Sequence, residues 1–151
     1  MLVPKRNGFG GFVSFFVKAG SAFAVSASLL LAMNSKPTGH ERVAFSGALP
    51  NSPGQTLTAV VVSYAPGASS PRHAHAGSVM AYVLSGAIRS QNSATGAARI
   101  YETGEAFFEP PGSVHLISEN ASSSQPATLL AIFVAPAGAT LTRVEPEIEK
   151  P

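Results

Sequence analysis

Gly67-Ala68-Ser69-Ser70-Pro71-Arg72-His73-Ala74-His75 and, forty residues on, Glu109-Pro110-Pro111-Gly112-Ser113-Val114-His115 hold three of the four histidines of this chain. In an extended strand successive side chains alternate faces, so His73 and His75 project together. A third imidazole from a neighbouring strand or turn would complete a facial set. Imidazole nitrogen suits Fe, Mn, Ni, Cu or Zn, so the pattern speaks for one divalent ion and leaves its identity open. H-x-H alone is weak, because two polar residues on the outer face of a strand read the same way.

The flanking residues strengthen it. Gly67 stands six positions before His73, and Gly86 follows the apolar run Val79-Met80-Ala81-Tyr82-Val83-Leu84. The second segment runs Gly104, Pro110, Gly112, His115 and then Asn120. These two segments resemble the paired consensus motifs of the cupin superfamily, G-x5-H-x-H-x3,4-E-x6-G and G-x5-P-x-G-x2-H-x3-N. Asn120 sits one residue later than the pattern asks. The resemblance covers about residues 55–136 and implies an all-β jelly-roll barrel, the double-stranded β-helix. It also implies a metal held by His73, His75 and His115. The consensus glutamate would fall at position 79 or 80, where this chain has Val79 and Met80. Either three histidines and water hold the ion, as in some cupins, or a carboxylate comes from elsewhere. Glu109, just before the Pro-Pro-Gly turn, is the candidate for a fourth or outer ligand; the alternative is an ordinary solvated glutamate at a strand end.

Composition narrows the rest. The chain has 151 residues and no cysteine, which suits one domain and excludes disulfides, thiolate nucleophiles and cysteine-based zinc sites. Its formal charge of +2 is unevenly spread: Lys5, Arg6 and Lys18 stand in a segment with no acidic residue, while the remaining seven basic groups face eight glutamates. No Lys/Arg cluster exists, so a nucleic-acid partner has no electrostatic footprint.

Residues 1–35 combine a basic start with the apolar run Ala19 to Met33, which is short for a membrane span. They read as a secretory signal or, uncleaved, as an N-terminal anchor, with a buried helix as the third reading. Either of the first two places the domain outside the cytoplasm, in the periplasm or medium or anchored at the inner membrane. Contact with a membrane is expected only through this segment.

Residues 36–54 are rich in Pro, Gly and Ser and read as a linker, with His40 a surface residue. Short β-branched and aromatic runs follow at intervals of roughly ten residues: 56–64, 72–75, 79–88, 98–101, 105–109, 114–118 and 128–134. Residues 91–96 read as a hairpin loop, 120–125 as a polar loop and 137–151 as a peripheral tail. This rhythm argues for a sandwich or barrel independently of the motifs.

Counting parity from His75 points Val79, Ala81, Val83, Phe107 and Phe133 into the barrel as a dry wall. Tyr82 joins the candidate pocket lining, and Tyr82, Tyr101, Gln91 and Glu109 are candidate proton donors or acceptors that spacing does not separate. Alternation turns Arg72 away from the histidines. An ion with three protein ligands keeps open positions, so the expected function is a metal-dependent enzyme, dioxygenase-like, acting on a small molecule. The alternative is a non-catalytic cupin that binds a metal or small ligand, and a structural cupin with an empty site is a third reading. The resemblance further implies a homodimer formed by exchange or addition of N-terminal strands.

Overall fold

The computed structural model describes residues 38–146. The expected leader, residues 1–35, lies outside them. Among the described residues there is no helix, and ten strands form two five-stranded antiparallel sheets. They are β1 (His40–Ala48), β2 (Gln55–Tyr64), β3 (His73–His75), β4 (Ser78–Ser85), β5 (Ala87–Asn92), β6 (Arg99–Glu102), β7 (Ala106–Glu109), β8 (Val114–Asn120), β9 (Ala127–Pro136) and β10 (Thr142–Val144). The first sheet runs β1-β2-β9-β4-β7 and the second β10-β3-β8-β5-β6.

Alternate residues of each inner face meet between the sheets. Val60, Val62, Val79, Ala81, Val83, Ile88, Leu129, Ala131 and Phe133 form the shared core. Fully burying a side chain such as Ile88 stabilises by about 1.5–3 kcal/mol relative to leaving it in water. The alternation in β9, buried at every second residue from Ala127 to Ala135, is the period of a half-buried strand.

Two segments differ from the sequence reading. Residues 40–48, inside the expected linker, form β1, which pairs with β2 over its whole length. This strand is exposed at eight of its nine positions, so it carries no buried alternation for sequence to reveal. In the expected tail, Thr142–Val144 pair with His73–His75 as β10. Three residues leave too short a pattern to recognise.

The motif glycines work through their backbone. Gly86 sits at φ +71° between β4 and β5, and a Cβ there would lie 2.6 Å from the Pro126 carbonyl oxygen. Gly112 closes the Pro-Pro-Gly turn at φ +76°, a left-handed conformation that glycine adopts without a side-chain penalty.

Candidate metal centre

The strands bring the three histidines together in the predicted way. His73 lies directly opposite His115 across β3 and β8, so the two side chains share a face. His75 follows two residues on and shares it too. The ring centroids are 4.7 Å apart for His73 and His75, and 5.0 Å for His73 and His115. One ligand nitrogen from each lies within 4.8 Å of the others, close enough to converge on a single ion.

Glu109 enters from the opposite sheet. It ends β7, is buried at 3 % exposure, and is paired in register with Val79 of β4. The position where the motif asks for glutamate is therefore the cross-strand neighbour of the position that has one. Side chains directly opposite on adjacent antiparallel strands point the same way, with Cβ atoms about 5 Å apart. A carboxylate at position 109 therefore faces the same space between the sheets as one at position 79 would. Its Oε2 lies 3.1 Å from His115 Nδ1 and 3.8 Å from His75 Nε2. The solvated-glutamate alternative does not describe this residue.

Outer contacts orient the rings. His73 Nδ1 lies 2.6 Å from the Pro71 carbonyl oxygen, and His75 Nδ1 lies 3.2 Å from the Leu141 carbonyl oxygen and from Thr142 Oγ1. In both, a carbonyl at Nδ1 fixes the proton there and leaves Nε2 as the free lone pair. His115 Nε2 meets Ser90 Oγ at 2.8 Å, and Asn92 Nδ2 donates to Glu109 Oε2 at 3.2 Å. Such partners normally tune a metal ligand's orientation and basicity.

Ser90 and Asn92 were not singled out by the sequence reading, which placed residues 91–96 in a loop. The signal was present as the alternation Ile88, Ser90, Asn92 along β5, all three buried. Leu141 and Thr142 belong to the supposed tail, and no local pattern announced them.

Burial pushes His73 and His75 below the ordinary imidazole value, so both favour the neutral form that a metal needs. Burial alone would raise Glu109. The hydrogen bond with His115 and the electrostatic pull of the His115, His75 and His73 rings outweigh it, and the carboxyl lies below its usual range. Tyr64, raised by burial, stays a neutral hydroxyl held against Ser118 and Ser70 at 2.9 and 2.7 Å.

The cluster lines a cavity of about 40 Å³ between the sheets. Val79, Ala81, Phe107 and Phe133 line it with Val60, Val62, Leu129 and Ala131, and Tyr64, Ser70 and Ser118 add hydroxyls. Phe133 packs edge-on to His75 at 5.1 Å. Tyr82 points the other way, 39 % exposed, because alternation along β4 turns inward only the odd-numbered residues. Val83 is fully buried in the core but does not line the cavity. Tyr101 packs on Phe107, Gln91 bonds to the Gly96 carbonyl at the surface, and His40 is exposed on β1. None of these three reaches the histidines. Among the described residues no lysine or arginine lines the cavity; its acidic residues there are Glu109 at the cluster and Glu41 on the exposed β1.

The donor set suits a divalent ion: three imidazoles, a buried carboxylate, and rings fixed by carbonyls and hydroxyls. When bound, such an ion supplies a Lewis acid with positions open to water or a chelating ligand.

Residues 60–133 match the family model described as Cupin domain. Among solved structures, the chain is similar to a conserved protein with a double-stranded beta-helix domain from Klebsiella pneumoniae, at 20 % identity over 76 % of this chain and 88 % of that one, with a TM-score of 0.56. A cupin-like protein from Thermotoga maritima matches at 20 % identity over 70 % of this chain and 74 % of that one, with a TM-score of 0.55. A DMSP lyase from Ruegeria pomeroyi matches at 22 % identity and a TM-score of 0.50, over 58 % of this chain and only 42 % of that one. These likenesses establish the double-stranded β-helix fold. No curated protein sequence matches the chain.

Proposed function

With residues 60–133 matching the cupin domain family, we propose that this chain is a metal-dependent enzyme, dioxygenase-like, acting on a small organic molecule outside the cytoplasm. The observation that carries the proposal is the convergence of His73, His75, His115 and Glu109 at the wall of a partly apolar cavity.

The cavity also limits the substrate. Its volume corresponds to a few water-sized positions, so the part of a ligand held inside has few heavy atoms. With no lysine or arginine among the described residues of the wall, the ion is what would neutralise an anionic group. The fitting ligand is a small chelator with at most one negative charge, such as an enolate or a 2-oxo monocarboxylate, and a compact apolar remainder against Val79, Ala81 and Phe133. The hydroxyls of Tyr64, Ser70 and Ser118 bond to one another at the cavity wall.

The second reading, a non-catalytic metal- or ligand-binding cupin, is favoured by the cavity's small size, which suits an ion with its waters. The export reading rests on residues 1–35 alone.

One experiment separates these readings. The full chain loaded with Fe²⁺ is titrated with 2-oxobutyrate and with 2-oxoglutarate, following the iron chromophore and dissolved oxygen. Binding of the monoanion at least tenfold tighter, with oxygen uptake, supports the enzyme. Tight metal with no oxygen uptake for any small chelator supports the binding module, and preferred binding of the dianion contradicts the substrate class.

A further inference from the structure

The second motif carries one residue too many between His115 and Asn120, and the pairing of β5 with β8 shows where it went. Asn92 faces His115 while its neighbour Gln91 faces Ile117, so Leu116 has no partner on β5. This is a β-bulge, which bends its strand and re-aims the side chain beside it. It lets His115, Ser118 and Asn120 all turn inward, at 3 %, 5 % and 5 % exposure, although His115 and Ser118 are an odd number of positions apart.

The His115 ring is held at both nitrogens. Nδ1 lies 3.1 Å from Glu109 Oε2, and Nε2 lies 2.8 Å from Ser90 Oγ. Turned over, the ring would set carbon atoms against both partners. Its two edges face different surroundings. Glu109 lines the cavity, and its Oε2 is also 3.8 Å from His75 Nε2, the nitrogen that the Leu141 carbonyl leaves free. Ser90 is buried behind the ring, outside the cavity wall. A metal-binding histidine commonly turns its outer nitrogen to a carboxylate or a carbonyl, and His73 and His75 turn theirs to carbonyls. At His115 the carboxylate stands on the cavity side and a hydroxyl stands behind.

We propose that His115 ligates the ion through Nδ1, while His73 and His75 ligate through Nε2, and that Ser90 is the positioning residue for this reversed ring. A carboxylate only accepts, so without metal the ring proton sits on Nδ1 toward Glu109, and the Ser90 hydroxyl donates to Nε2. Once the Nδ1 lone pair is given to an ion, the proton sits on Nε2 and the same hydroxyl accepts it. A hydroxyl serves both states, whereas a carbonyl would serve only the second and an ammonium only the first. The assignment rests on the metal-dependent reading of the site and can fail without it.

The full chain carrying His40→Gln, labelled with ¹⁵N-histidine and loaded with Zn²⁺, shows only the three cluster rings, since the sequence has four histidines. Long-range ¹H–¹⁵N correlation spectra read which nitrogen of each ring bears the proton. We expect two rings protonated on Nδ1 and one on Nε2. In chelator competition, Ser90→Ala should weaken Zn²⁺ binding about tenfold or more, and Ser90→Thr, which keeps the hydroxyl, should stay within about threefold of wild type. Circular dichroism confirms that both variants are folded. If Nε2 were the ligating atom, Ser90 would compete for its lone pair, and Ser90→Ala would bind as tightly as wild type or tighter. Three rings protonated on Nδ1, or undiminished affinity in Ser90→Ala, overturns the assignment and leaves the metal site standing. A labelled chain that takes up no Zn²⁺ overturns it together with the metal reading.

Discussion

Moving the carboxylate back across the strand pair tests whether Glu109 has taken the place of the missing motif glutamate. Val79 and Glu109 are paired in register, with exposures of 1 % and 3 %. Three variants of the full chain suffice: Glu109→Val, Val79→Glu and the double exchange. Glu109→Val removes the charge 3.8 Å from His75 Nε2 and leaves His115 Nδ1 and Asn92 Nδ2 without their partner. Loss of an outer partner to a metal ligand typically costs 10–100-fold in affinity, about 1.4–2.7 kcal/mol, and loss of a direct ligand costs more. Val79→Glu alone sets two buried carboxylates about 5 Å apart, which repel by about 3 kcal/mol at an effective dielectric constant of about 20. The metal-free protein should therefore melt well below wild type, and a divalent ion should restore most of that loss. The double exchange should recover metal affinity to within about tenfold of wild type, because the carboxylate again reaches the same end of the cavity. Zn²⁺ affinity by chelator competition, with thermal unfolding in EDTA and in Zn²⁺, reads all three. Unchanged affinity in Glu109→Val would refute the reasoning and leave the three histidines alone as the site.

Other perturbations have definite outcomes. Gly86→Ala combines a left-handed backbone with a Cβ 2.6 Å from the Pro126 carbonyl oxygen, so it should destabilise by about 2–4 kcal/mol, read by urea unfolding. Asn92→Ala removes the amide donor to Glu109 and should weaken Zn²⁺ binding about tenfold while leaving the barrel's circular dichroism intact. The metal-free protein should lose stability as pH falls below about 6.5. His73 and His75 are lowered from that value, so the unfolded chain takes up protons the folded one refuses. Glu109, lowered from 4.5, adds to the loss further down, since its stabilisation is present above that value and fades as the folded carboxyl protonates. Bound metal should move the onset to lower pH; a melting temperature flat from pH 7.5 to 5 in EDTA would contradict the burial of neutral imidazoles.

Much of this architecture is legible in the chain because its spacings are backbone requirements. Gly86 and Gly112 mark places where the chain must adopt positive φ, and H-x-H works through the two-residue period of a strand. What stayed hidden depended on which strand lies beside which. That Glu109 faces the space of a residue at position 79 follows from the pairing of β4 with β7, which no local pattern contains. β1 escaped because its side chains are exposed, and β10 because three residues give no period. Ser90 and Asn92 were missed for a different reason. Polar residues on the inner face of a strand imitate a turn, so Asn92 reads as part of the loop that it in fact precedes. For Glu109 the sequence indicates the residue, and only the register supplies its neighbour.

The most direct measurement is metal stoichiometry. The full chain, produced without a metal-chelating tag, is stripped, reconstituted in turn with Fe²⁺, Mn²⁺, Ni²⁺, Cu²⁺ and Zn²⁺, desalted and analysed for bound metal beside His73→Ala and His115→Ala. The account predicts about one equivalent per chain for at least one ion, and near zero in both folded variants. Metal content well below one equivalent for every ion, or unchanged when either histidine is removed, would contradict it.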